Sequence, residues 1–216
     1  IERGAAEALA LAGGRLFGLF NNGAYGQPGA LEDLPTEALK AQFNTNLFGW
    51  HHLIRQVLPA MLAAGEGRIV QNSSVLGLVA MKYRGAYNAS KFALEGYTDT
   101  LRLELEGSGV HISLIEPGPI DTRFRANARD AFVRHIDPAQ SRHQGAYRQT
   151  LTRLEKEGST SGFTLPSEAC IPPLLHALQS KRPRHRYPVT LPTRLFSILR
   201  RLLPSRWLDR ILGKSA

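Results

Sequence analysis

Gly85-Ala86-Tyr87-Asn88-Ala89-Ser90-Lys91 runs without a break into Phe92–Leu105, a stretch with the apolar spacing of a helix. Helical pitch then stacks Tyr87 and Lys91 on one face, about one turn apart. An ammonium held near a phenol favours phenolate and lowers a pKa that starts near ~10, which brings the tyrosine into the range useful for proton transfer. Ser74, upstream in a second motif, supplies a hydroxyl that would hold a substrate oxygen. On its own a Tyr-x-x-x-Lys pair is more often a half-buried tyrosine beside a solvated lysine, so the surrounding sequence has to decide.

Strand-like and helical segments alternate on either side. Leu16–Phe20, Arg68–Asn72 and Val110–Ile115 read as short apolar strands. Pro35–Leu62 reads as a long helix, with Leu39, Phe43, Leu47, Trp50, Ile54, Val57 and Met61 at helical spacing. Arg84–Glu106 reads as a second helix, stopped by Gly107-Ser108-Gly109. Ser167–Gln179 reads as a third, with Ser167 as its cap, Glu168 in its first turn and Pro172-Pro173 disturbing its middle. This alternation predicts an α/β fold, a parallel sheet covered on both faces that binds ligands at the carboxyl ends of its strands.

Five motifs in this order resemble the short-chain dehydrogenase/reductase family, over a stretch from about Leu16 to Val189. They are Asn21-Asn22-Gly23-Ala24, Asn44-Thr45-Asn46-Leu47-Phe48-Gly49, the run from Gly67 to Ser74, the Tyr87 run, and Glu116-Pro117-Gly118-Pro119-Ile120-Asp121-Thr122. The resemblance implies a Rossmann-like, doubly wound parallel sheet. It implies catalytic roles for Asn46, Ser74, Tyr87 and Lys91, with Ser73 the lesser neighbour. Asn46 would kink its helix locally and hold a water in the proton relay to Lys91. The cofactor implied is NADP or NAD. Pro117 and Gly118 would lie against the nicotinamide ring and Ile120 or Thr122 near its carboxamide. Asn22, Gly23 and Ala24 would support the adenosine side, while Tyr87 and Lys91 would face the nicotinamide ribose. Hydride would pass between cofactor and carbonyl carbon while Tyr87 exchanges a proton with the oxygen held by Ser74. The expected activity is oxidoreduction of a secondary alcohol or ketone, on the hydroxysteroid and retinol dehydrogenase side of the family. The alternative is a catalytically silent fragment, or a binding or scaffold protein that keeps the fold. Family members also imply a homodimer or homotetramer built through the two long helices.

Ile1–Leu9 reads as the inside of an amphipathic helix, with neither an initiator methionine nor a capping residue before it, so the sequence is expected to be a fragment. The family's opening turn, Thr-Gly-x-x-x-Gly-x-Gly, has no counterpart: Gly13-Gly14 reads as a helix C-cap, and Gly23 to Gly26 is too short. The resemblance therefore implies a sheet incomplete at its N-terminus, and it leaves the choice between NAD and NADP unread. Residues 1–190 form the expected dehydrogenase domain and 191–216 a basic amphipathic appendage.

One cysteine, Cys170, cannot form an internal disulfide, which favours a reducing, cytoplasmic compartment. The seven histidines show no metal-ligand spacing, and no metal site is expected. Residues 123–162 are polar, with a charged helix expected over Ala146–Glu157. Phe124, Phe132, Tyr147 and Phe163 there either line an apolar pocket or simply pack. From Lys181 to Ala216 ten Lys or Arg and one Asp give +9, which is the whole formal net charge of the 216-residue chain. Leu195, Phe196, Ile198, Leu199, Leu202 and Leu203 share that segment, followed after Pro204-Ser205 by Trp207, Leu208, Ile211 and Leu212. Two readings fit this pattern equally: peripheral contact with an anionic membrane surface, or a pair of helices that close the pocket or meet a sister subunit. Nucleic acid ranks low, because the leucines are too many for a phosphate-binding surface.

Overall fold

A computed structural model of the chain describes residues 1–155 and 162–213. Four parallel strands lie side by side in chain order: β1 (Gly18–Asn21), β2 (Gly67–Asn72), β3 (Val110–Glu116) and β6 (Arg186–Pro188). A separate two-stranded parallel ladder joins β4 (Ile120–Asp121) to β5 (Leu165–Pro166). The helices are α1 (Glu2–Leu11), α2 (Thr36–Phe43), α3 (Gly49–Ala64), α4 (Gly85–Glu104), α5 (Phe124–His135), α6 (Gln144–Glu155), α7 (Ile171–Gln179), α8 (Leu191–Leu202) and α9 (Ser205–Gly213).

Side chains alternate across a strand, and the two central strands are apolar on both sides, so each face needs its own cover. Ile69 and Ile112 point toward Ala5 of α1 and Ile54, Val57 and Met61 of α3, with Tyr97 and Leu101 of α4 packed against the same cluster. Val70 and Ile115 point the other way, onto Leu174, Ala177 and Leu178 of α7. The result is the expected α/β, doubly wound, Rossmann-like sheet. Arg68–Asn72 and Val110–Ile115 are strands as predicted, each extended by one residue. β1 starts at Gly18 rather than Leu16.

Four local expectations need correction. The helix predicted over Pro35–Leu62 is two helices, α2 and α3, joined by a π-turn at Asn44–Phe48. The prolines of 172–173 do not disturb the middle of a helix. Ser167–Cys170 is a separate 3₁₀ turn, so both prolines fall in the first turn of α7, where no backbone donor is required. Ser167 does not cap; its hydroxyl bonds the neighbouring Glu168 carboxylate at 3.3 Å. The helix expected over Ala146–Glu157 begins two residues earlier, at Gln144, and Lys156 and Glu157 lie outside the described residues.

Two close backbone approaches fix how the connections run. Gly109, with φ of +79°, brings the turn before β3 over the end of α3, where a Cβ would lie 1.9 Å from the Gly65 carbonyl oxygen. Gly118 lies under the start of α8, and a Cβ there would meet Thr190 Oγ1 at 2.1 Å. Thr190 is the N-cap of α8 and is buried together with Thr193, to whose hydroxyl it bonds at 3.0 Å. The C-terminal helices are thereby seated on the loop that leaves β3.

Candidate active site

The strand alternation that builds the core also separates two neighbouring serines where β2 ends. Ser73 turns inward, its amide bonded to Ile115 O at 2.8 Å and its hydroxyl donating to Glu95 on α4. Ser74 turns toward Tyr87, close enough for its hydroxyl to favour the phenolate, while its Oγ accepts from the Leu76 amide at 3.1 Å. The next amide, Val75, donates to Pro117 O at 2.8 Å, so the Ser74 turn is laced to the loop after β3.

α4 presents Tyr87 and Lys91 from one face, and both are buried, at 8% and 1% exposure. Lys91 Nζ donates to Asn72 O at 2.7 Å and lies 4.6 Å from the Trp50 ring. Burial pushes the ammonium down to about 7, with the Glu95 carboxylate acting against the shift. The Tyr87 phenol is pushed up to about 12 by burial, opposed by the Ser74 hydroxyl and by the Arg84 guanidinium. This amends the electrostatics expected from the sequence. Lys91 lies 5.7 Å from the Tyr87 ring but carries only part of a charge near neutral pH, and the cation acting on the phenol is Arg84.

Asn46 sits in the π-turn and is fully buried. Its amide nitrogen donates to Tyr25 O at 3.0 Å and to Ser90 Oγ at 3.1 Å, and its oxygen accepts from Tyr25 N at 3.3 Å. Ser90 in turn donates to Tyr87 O at 2.9 Å. The local kink is therefore present, and the asparagine side chain clamps the 25–27 loop to α4. Asn22 accepts from Asn72 at 2.6 Å, and Gly23 O accepts from the Trp50 indole at 3.0 Å. Ala24 follows them on the same strand exit. Pro117 and Gly118 lie beside the Ser74 turn, whereas Ile120 pairs with Leu165 in the small ladder and Thr122 caps the start of α5 through the Phe124 amide at 3.2 Å. Phe124 stacks edge-on against Tyr87, centroids 5.3 Å apart, and both rings crowd Gly26. Phe132 and Tyr147 are plain core, packed with Ala30 and Ile136.

Sequence reasoning missed Arg84, Trp50 and Ser90 as parts of this site. Arg84 carried a legible signal, since it precedes Tyr87 by three residues, at the N-cap of α4. Trp50 was legible only as an apolar helix position, and nothing marked Ser90.

A hydroxyl, a phenol and a buried amine thus converge where β2 and β3 deliver their carboxyl ends, the edge at which open α/β sheets take ligands. Asn72 Oδ1 is buried there without a partner, and Lys91 spends one of its three donors on Asn72 O. An unpaired acceptor and spare ammonium donors beside a strand exit fit the hydroxyl-rich ribose of a dinucleotide. Residues 2–132 match the short chain dehydrogenase family profile. The chain belongs to the short-chain dehydrogenase family. It is 44% identical over 212 residues to an uncharacterized oxidoreductase, YbbO, of Escherichia coli K12, covering 98% of this chain and 72% of that protein. Human retinol dehydrogenase 8 is 41% identical over 123 residues, 57% of this chain and 40% of that protein. A short-chain dehydrogenase/reductase crystal structure from Burkholderia phymatum, in complex with NAD, superposes with a TM-score of 0.74 at 29% identity, over 96% of this chain and 71% of that one. As a member of this family the chain is an oxidoreductase by type.

Proposed function

We propose that this chain catalyses the interconversion of a secondary alcohol and a ketone, with Tyr87 as the proton-transferring residue. The cofactor is NAD or NADP, which supplies or takes up the hydride. Ser74 holds the substrate oxygen, and Tyr87 gives that oxygen a proton in reduction or takes one in oxidation. Lys91 binds the nicotinamide ribose and, when charged, favours the phenolate. Asn46 holds the π-turn behind them and a water on the path to Lys91. Asn22, Gly23, Ala24, Pro117, Gly118, Ile120 and Thr122 form the remaining cofactor contacts. The observation that carries this reading is the meeting of the Ser74 hydroxyl at the β2 exit with the buried Tyr87 phenol of α4, with a buried lysine one helical turn further on.

The substrate is apolar, of the hydroxysteroid or retinol kind. Phe124 against Tyr87 and the likeness to retinol dehydrogenase 8 support this. Residues 1–190 act as the dehydrogenase domain, and 191–216 as a basic appendage that touches an anionic membrane surface from the cytoplasm. Leu191, Leu195, Ile198 and Leu202 stand exposed along α8 among Arg194, Arg200 and Arg201, the pattern of an interfacial helix. Among the described residues no helix is long and apolar enough to cross a membrane. Subunits pair through α2–α3 and α4, where Phe48, Leu62 and Leu103 are exposed.

Titration with NADH and NADPH, followed by nicotinamide fluorescence, tests the reading: saturable binding is expected with one of them. Absence of binding with both would support a catalytically silent fold instead. Tyr87→Phe removes one hydroxyl and is expected to lower turnover by about 10³-fold while cofactor binding persists. Turnover surviving that change would remove the proton-transfer assignment.

A further inference from the structure

The inner face of α4 carries proton-active side chains at every fourth position: Tyr87, Lys91, Glu95 and Asp99. The first two belong to the proposed chemistry. Glu95, only 5% exposed, lies beneath the Ser74 turn, where its carboxylate would touch any side chain placed at Gly77. One of its oxygens accepts from the Ser73 hydroxyl. The other accepts from Arg186 of β6, which also donates to Glu116 at the end of β3 at 2.6 Å and to Asp99 at 2.6 Å. One guanidinium therefore gathers three carboxylates, two of them buried. Unpaired, those groups would be strongly destabilising in this setting, so the arrangement needs a reason beyond packing. A cavity of about 330 Å³ borders the same cluster, lined by Glu116, Arg186 and Arg201 among others.

We propose that Glu95 is a positioning residue for the reaction described above: it fixes the turn that presents Ser74 through the Ser73 hydroxyl, and it keeps a negative charge one helical turn from the Lys91 ammonium. Its two oxygens do separate work. The bond to Ser73 pins the residue between Asn72, whose carbonyl receives Lys91, and Ser74. The charge opposes the burial that drives the proton off Lys91. Arg186 works to hold that charge, its guanidinium opposing the burial that raises the pKa of both Glu95 and Glu116. The groups facing Glu95 are then Lys91 and Asp99 from its own helix, Ser73 from the β2 exit, Glu116 from β3 and Arg186 from β6, with Arg201 of α8 across the cavity.

This inference rests on the proposed function for its consequence but not for its test. The chain holds six lysines, so Lys91 can be followed by NMR of ¹³C-labelled lysine in the resting protein. Glu95→Gln keeps the reach to Ser73 and removes the charge. It is expected to lower the pH at which Lys91 titrates by about 1 unit, the effect of losing an opposite charge nearby. Glu95→Asp retains the charge and is expected to leave Lys91 closer to wild type than Glu95→Gln does. Ser73→Ala should leave the Lys91 titration unmoved. In turnover, Glu95→Gln is expected to draw the alkaline limb of the kcat profile for carbonyl reduction to lower pH, with KM for NADPH or NADH unchanged. Ser73→Ala is expected to lower kcat about 10-fold without moving that limb. A Lys91 titration identical in wild type and Glu95→Gln would overturn the proposal. Should Glu95→Gln fail to fold, indistinguishable Lys91 titrations in Glu95→Asp and Ser73→Ala, both displaced from wild type, would overturn it as well. A Lys91 shift in a chain that turns over no carbonyl would leave the electrostatic coupling standing and remove the reading of function.

Discussion

The carboxyl edge of the sheet and the C-terminal helices break the ordinary rule of burial in opposite directions. At the sheet edge, charged groups are taken out of water: Lys91 and Glu116 are each 1% exposed. On α8 and α9, apolar groups are left in it, with Leu202 at 73% exposure and Trp207 at 51%. A buried charge is tolerated only where partners are built around it, as Asn72 O, Trp50 and Arg186 are here. An exposed apolar stripe leaves much of its surface facing outward, the mark of a contact site. The two regions are joined at Gly118, where Thr190 at the start of α8 sits on the loop beside Ser74.

The contrast can be tested most severely at Lys91. Lys91→Met should reduce turnover by about 10²-fold or more and should change how stability depends on pH. The unfolded chain holds the ammonium proton to about 10.5 and the folded chain only to about 7, so between these values unfolding takes up a proton and stability rises with pH. Thermal melts of wild type are expected to show that rise from pH 7 toward 10, and those of Lys91→Met a flatter curve. A curve of equal slope in the variant would mean that the amine is not held neutral by burial. A smaller effect is expected at the joint. Gly118→Ala drives a methyl into Thr190 and should destabilise by about 1–3 kcal/mol in denaturant unfolding. No loss of stability would show that α8 is not seated on this loop. The smallest effect on stability belongs to the tail. Leu195→Ser with Leu202→Ser should change unfolding free energy by less than about 0.5 kcal/mol. The same pair should abolish sedimentation with anionic vesicles, and undiminished sedimentation would separate the exposed stripe from any membrane role.

Much of this architecture was legible because periodicity carries burial. Short apolar runs located β2 and β3, and the fourfold spacing of Tyr87 and Lys91 put both on the inner face of α4. What the sequence hid was set by geometry between segments. The kink at Asn46 was legible only through the family resemblance, because the hydrogen bonds to Tyr25 and Ser90 that hold it lie on other elements, which no local propensity records. Pro172-Pro173 misled because the preceding 3₁₀ turn, not the prolines, decides where α7 starts. The expectation that Lys91 acidifies Tyr87 considered the distance between two charges and left out the desolvation of the amine, which depends on Trp50 and the strand ends closing around it. Glu95 and Asp99 continue the same fourfold spacing, yet their meaning depends on Arg186, some ninety residues away along the chain.

The crossing at Gly118 gives the last helices a say in events they never touch. A Thr190 hydroxyl fills the space where any other residue's β-carbon would stand, so α8 is packed directly onto the backbone of the strand exit. The neighbouring Pro117 carbonyl accepts from the Val75 amide that anchors the serine turn, so the first turn of α8 is two contacts away from Ser74.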